Sequence, residues 1–133
     1  MTSEWTIHEV PGGRILEYPA KGAPLGSVLS SLEMIGAARG HGAGWIAGRW
    51  ERLGDAFFQL RNGIAGEVLQ RFVTYQLRMA VVGEIAPFCA ASKALHDFVV
   101  ECNRGMDVWF VGNLGELRER LRTRASQAES VDS

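Results

Sequence analysis

Hydrophobic residues recur along the middle of the chain at a helical period. Ile64, Val68 and Phe72 fall four apart, Ala65, Leu69 and Val73 run beside them, and Glu67, Gln70, Arg71 and Thr74 take the other faces. A wide apolar stripe of this kind predicts an amphipathic helix with one buried side. Asn62-Gly63 marks its start, because an Asn side chain accepts from the free amides of a first turn and Gly lets the chain enter closely. The helix is therefore expected from near residue 63 to 75, with Asp55 to Leu60 as a short turn ahead of it and Phe57 and Phe58 plugging that turn into the core. Gly63 and Gly66 lie on nearby faces and admit a close neighbour, either a strand or a ligand.

On either side the pattern shortens to that of strands. Trp5 to Val10 and Arg14 to Tyr18 are rich in β-branched and aromatic residues, and Pro11-Gly12-Gly13 between them suits a tight connection, so they read as a hairpin. Pro19 to Gly26 is a loop. Ser27 caps a helix carrying Val28, Leu29, Leu32 and Ile35, which Gly40 ends. Trp45 to Trp50 is a strand, and Leu77 to Val82, apolar throughout and bounded by Gly83, is a strand covered on both faces. Ser92 starts a helix with a stripe of Ala94, Leu95, Phe98, Val99 and Cys102, stopped by Asn103-Arg104-Gly105. Val108 to Val111 is the last strand. Asn113 caps a final helix marked by Leu114, Leu117 and Leu121, with Glu116 and Arg120 four apart. Strand-helix alternation after a hairpin predicts an α/β fold: one mixed, mostly parallel sheet of about five strands, with right-handed crossovers and packed helices. Residues 1–126 are expected to form one domain, and residues 127–133 a flexible polar tail with no stripe to bury.

Composition narrows the classes without choosing among them. A chain of 133 residues, 47% hydrophobic and with a net charge of −1, has the balance of an ordinary soluble domain able to bury a core. Twelve arginines against two lysines are dispersed, with acids beside each cluster, which argues against a nucleic-acid partner. No apolar run reaches the length of a membrane span and Met1 to Val10 does not read as a signal peptide, so no membrane association and a cytoplasmic address are expected. Cys89 and Cys102 fit no metal or redox spacing and read as small buried hydrophobes.

Four segments carry a family resemblance: FFQLRNGIAGEVLQRFVTY at 57 to 75, AVVGE at 80 to 84, SKALHDFVVECNRG at 92 to 105, and VWFV at 108 to 111. Together they resemble a bacterial family of small proteins, DUF4180, over about residues 25 to 125, and that family implies no established activity. The element order is also similar to the STAS domain of sulfate transporters and anti-sigma factor antagonists, with its SpoIIAA-like fold. VWFVGNLGELRERL stands as the final strand and helix, and a turn leads into a helix after the middle strand. STAS regulators are often switched by phosphorylation of a serine or threonine at that turn. This chain has neither from Leu32 through Val73, so the resemblance implies the fold and not the switch.

Candidate chemistry then follows from topology. In a parallel sheet, ligands sit beyond the carboxyl ends of the strands, where helix N-termini offer free N–H groups. That rim would hold Asp55, Arg61, Asn62, Glu84, Ser92, Lys93 and Asn113. Arg61 and Asn62 can hold a small anion by charge and dipole, or Asn62 can be only a cap; Glu84 can be a base or recognition carboxylate, or a structural acid at a helix start. The opposite rim gathers Tyr75, Arg78, Glu101, Asn103 and Arg104, either as a second polar site or as an ordinary helix C-terminus with Glu101 paired to an arginine. GHGAG at 40 to 44 closes a helix and leads into a strand, the wrong context for a phosphate loop. His8, His41 and His96 lie on different elements and no metal or cofactor motif is present, so none is expected. Two functions follow: a non-enzymatic module that binds a protein partner or itself, with Trp45, Trp50 and Trp109 as possible anchors, and a small-molecule or anion-binding protein using Arg61, Asn62, Glu84 and Asn113.

Overall fold

The side chains of each strand alternate between two apolar faces, and this decides the architecture. The computed structural model describes the backbone of residues 5–10, 13–19, 21–59 and 63–132, with the side chains of all of these except 55, 56 and 125–132. Five strands, β1 (Thr6–Val10), β2 (Gly13–Glu17), β3 (Trp45–Arg49), β4 (Arg78–Val82) and β5 (Val108–Val111), form one sheet in the order β1-β2-β3-β4-β5. β1 and β2 pair antiparallel and every later pair is parallel. The fold is thus the mixed, mostly parallel α/β sheet that the alternation predicts.

The helices are α1 (Val28–Gly40), α2 (Ile64–Thr74), α3 (Ala86–Ala91), α4 (Lys93–Arg104) and α5 (Leu114–Asp132), with two 3₁₀ turns at Trp50–Leu53 and Asp55–Phe58. Right-handed crossovers that always step to the next strand must carry their helices over one face. That face holds Leu16, Ile46, Met79, Val81, Val108 and Phe110 against residues of α1, α2 and α4. α5 takes the other face, laying Leu117 and Leu121 on Ile15, Trp45, Ala47, Ala80 and Trp109. There the indoles of Trp45 and Trp109 meet at 4.8 Å across β4, which offers only the methyl of Ala80 between them. Arg120 stacks over the Trp109 ring at 3.7 Å, and Arg118 donates to His8 Nδ1 at 2.6 Å, so α5 straps β5 to β1. Because guanidinium has only donors, neutral His8 carries its proton on Nε2, which faces Glu17 at 2.9 Å.

Several local readings are corrected. The cap position of α2 is Gly63, in a left-handed conformation (φ 78°) that glycine tolerates; Asn62, the capping side chain the sequence suggests, lies outside the described residues. On α1, Leu29 and Leu32 are exposed, while Ser31, Met34, Ile35 and Ala38 are buried. The core-facing row follows i, i+3, i+4, i+7 and includes a serine, whose hydroxyl is satisfied by the carbonyl of Val28. Val73 and Ala94 also turn outward. α3 was not foreseen at all. α5 itself runs to Asp132, so its helical backbone includes residues 127–132.

Two glycines explain close approaches. Gly48 lies in β3 under the ring of Tyr18, and a Cβ there would enter that ring; the Tyr18 hydroxyl crosses β3 to donate to the carbonyl of Arg49 at 3.1 Å. Gly83, at φ +125°, ends β4, and a Cβ on it would stand 2.6 Å from Cδ1 of Trp50. The second of these shapes the rim described next.

Candidate functional site

At the carboxyl ends of β3 and β4 the described residues are largely apolar. In a sheet whose strand order follows the sequence, the crossovers never reverse direction, so no switch-point crevice forms between helices diverging to opposite faces. Instead three segments at the rim build a cleft: the 3₁₀ turns after β3, the loop after β4, and the α3–α4 corner. It encloses about 280 Å³ and is lined by Trp50, Phe58, Gln59, Ile85, Phe88, Ala91, Ser92 and Leu95.

Trp50 is the hub. Its indole rests on Gly83 and meets Phe58 edge-on at 6.2 Å and Phe88 at 4.7 Å, the offset and T-shaped geometries that aromatic quadrupoles favour. Phe57 anchors the turn from beneath, fully buried and 5.2 Å from Phe58. Phe88 comes from α3, a helix with no buried residue, and stays 46% exposed although it meets Trp50 edge-to-face. A large apolar ring left this open, on an element with so little holding it, is the unusual feature of the molecule. None of the described lining residues is ionisable, and these walls offer apolar contact, the Gln59 amide and the Ser92 hydroxyl. Ser92 Oγ already accepts from Leu95 N at 3.2 Å as the cap of α4, leaving its own proton to donate. The indole N–H of Trp50 donates to none of the described residues.

The residues singled out in the sequence occupy the edges of this cleft or stand apart from it. Arg61 and Asn62 lie outside the described residues. Glu84 is exposed, and its carboxylate accepts from the backbone N–H of Ala86 at 3.1 Å, closing the first turn of α3. Asn113 accepts from Glu116 N at 2.8 Å as the cap of α5. Lys93 pairs with Asp97 at 2.9 Å on the exposed side of α4, a hydrogen bond that holds the Asp97 carboxyl below its ordinary range. Next to Trp50, Arg49 and Glu51 form a two-pronged pair at 3.1 and 2.7 Å, fully open to solvent.

At the opposite rim, Arg78, Glu101, Asn103 and Arg104 do not converge. Asn103 Oδ1 accepts from Phe110 N at 2.7 Å, and its carbonyl accepts from Arg120 at 2.5 Å. Met79 N donates to Asp107 O, so residues 107, 109 and 111 face β4 and the amide of Phe110 points out of the sheet. Asn103 therefore plugs the free edge of β5. Glu101 and Arg104 are exposed, and Glu101 has no ion-pair partner among the described residues. Cys89 and Cys102 are each part-buried, and burial raises both thiols above the ordinary value, Cys102 to about 11 with Glu101 adding to the shift. Neither is an activated nucleophile. Among the described residues no group of three His, Cys, Asp or Glu is placed to hold a metal ion, and no helix is long and apolar enough to cross a membrane.

Sequence reasoning missed Phe58, Ile85 and Phe88 as site residues. The one signal was local: APFCAA carries an aromatic in a segment with proline at its start and no stripe to bury it.

A hairpin-led, sequentially ordered α/β sheet with an apolar, aromatic cleft at its carboxyl rim defines a small single-sheet protein. The chain belongs to the family of DUF4180, a domain of unknown function, whose model matches residues 11–121. No curated protein and no solved structure matches it.

Proposed function

We propose that this protein acts by binding, and that it takes a small, ring-bearing apolar molecule in the cleft between Trp50, Phe58, Ile85 and Phe88. The carrying observation is the edge-to-face contact of Phe88 with Trp50 at 4.7 Å, with Phe88 still 46% exposed over a cleft of about 280 Å³. Binding sites are concave, mostly apolar and furnished with few polar groups, and Gln59, Ser92 and the indole N–H of Trp50 are of that kind. An apolar cavity of about 150 Å³ holds a benzene ring, so this cleft suits a bicyclic ring or one ring with a short substituent. The polar anion site framed by Arg61, Asn62 and Glu84 is the less favoured reading, because Glu84 is engaged at α3 and brings negative charge to that edge. The element order shared with STAS regulators supports a regulatory use, with occupancy of the cleft in place of a phosphorylated serine.

Thermal unfolding with indole and 2-naphthol tests this, since a ligand that binds the folded state raises the midpoint by mass action. The expected result is a rise at submillimolar to millimolar ligand, as suits compounds of this size, that disappears in Phe88→Ala and persists in Leu29→Ala, a change on the exposed side of α1. No rise with either compound, or an equal rise in Phe88→Ala, contradicts the reading.

A further inference from the structure

The two edges of the sheet are not treated alike. At β5 the outward amide of Phe110 is taken by Asn103, and α4 and α5 cover the two faces of the strand. At β1 the backbone geometry leaves a different situation. Tyr18 N donates to Ala47 O and Arg14 O accepts from Gly44 N, so the even-numbered residues of β2 face β3 and the odd-numbered ones face β1. Ile15 lies directly opposite His8, Glu17 opposite Thr6 and Gly13 opposite Val10, which makes these the hydrogen-bonded pairs. Ile7 and Glu9 therefore point their N–H and C=O groups out of the sheet, and no described residue bonds to them. Of the usual protections of an edge, Thr6–Val10 has no lysine, no proline and no bulge; its one carboxylate, Glu9, is paired to Arg14, and Ile7 is 40% exposed.

We infer that β1 is a strand-addition surface and that its occupant is a second copy of this chain, paired antiparallel about a two-fold axis at His8. In that register Ile7 of each copy lies opposite Glu9 of the other, and the four outward groups on each strand are satisfied by main-chain bonds. The charges of the edge suit a copy of itself. Each Glu9 carboxylate brings its own counter-ion, Arg14 at 2.9 Å, so the pairing does not set bare like charges together. Pairing about a two-fold axis uses β1 of both copies, so association through this edge stops at two molecules and yields a closed dimer with a continuous sheet. A contact of five residues per strand falls below the standard size of a stable interface, so the dimer forms reversibly and with concentration. This surface is independent of the cleft.

Sedimentation of the whole chain tests it. The mass is expected to rise from monomer toward dimer between about 10 µM and about 1 mM, the range open to small interfaces. Ile7→Pro removes an N–H that the monomer does not use, on an edge strand where proline is tolerated, and is expected to stay monomeric throughout with an unchanged circular dichroism spectrum. Ile7→Lys keeps the N–H and adds an edge charge, and is expected to weaken the dimer at least tenfold should the proline variant fold poorly. Amide exchange of Ile7 and Glu9 in the wild type should slow as concentration rises. A wild type that stays monomeric with unchanged exchange, a dimer that survives both substitutions, or masses that pass two copies would each overturn the inference.

Discussion

Single residues at close approaches do the specifying in this molecule, and their effects can be measured one at a time. Gly48 exists to let the Tyr18 ring lie across β3, and Gly48→Ala is expected to lower stability by about 1–3 kcal/mol, the cost of overpacking a tight site; a urea midpoint unchanged from wild type would refute that account. Titration gives a second handle. The part-buried Cys102 thiol keeps its proton up to about 11, whereas an unfolded chain releases it near 9. Over that window the unfolded state binds fewer protons, so stability falls as pH rises, and buried Tyr18, also raised by desolvation, pushes in the same direction at still higher pH. Urea midpoints should therefore fall from pH about 8 to about 11, and Cys102→Ala should flatten the fall between about 9 and about 11. A wild-type midpoint flat over that range would contradict the burial argument.

At the scale of elements, the strands and the three long crossover helices are legible because each must bury a face, and burial writes a period into the sequence. Leu77 to Val82 reads as a two-sided strand, and β4 is buried on both sides. What escaped notice has a common cause. α3 buries no residue and so leaves no stripe. Leu29 and Leu32 looked like core because they are leucines, yet Ser31 holds the inward position by satisfying its hydroxyl locally. Asn103 was read as part of a turn, and its link to the edge of β5 spans seven residues that no local pattern connects. Losing that link strands the buried side of an edge amide, so Asn103→Ala should cost about 1–3 kcal/mol, chiefly by fraying β5. Amide exchange checks it: Phe110 should lose protection far more than Met79, and equal loss at both would assign the damage elsewhere.

For the whole molecule, the expected topology is the observed one, and the described part of its carboxyl rim is aromatic. A parallel sheet directs attention to its carboxyl rim, and the cleft is there. The sequential strand order removes the crevice in which helix N-termini would converge on an anion, and aromatic residues from the Trp50–Phe58 turns and α3 fill the space. Trp50 was visible as an aromatic anchor; its partners Phe58, Ile85 and Phe88 come from separate segments whose meeting only the fold reveals. The account stands or falls on whether that cleft takes a ligand. Its most direct test is a methyl and aromatic NMR map of the full chain titrated with 2-naphthol: the account predicts saturable shifts concentrated on Ile85, Leu95, Phe88 and Trp50, with Leu29 and Leu32 unmoved. Shifts absent from those four, or spread evenly over the exposed apolar residues, would contradict it.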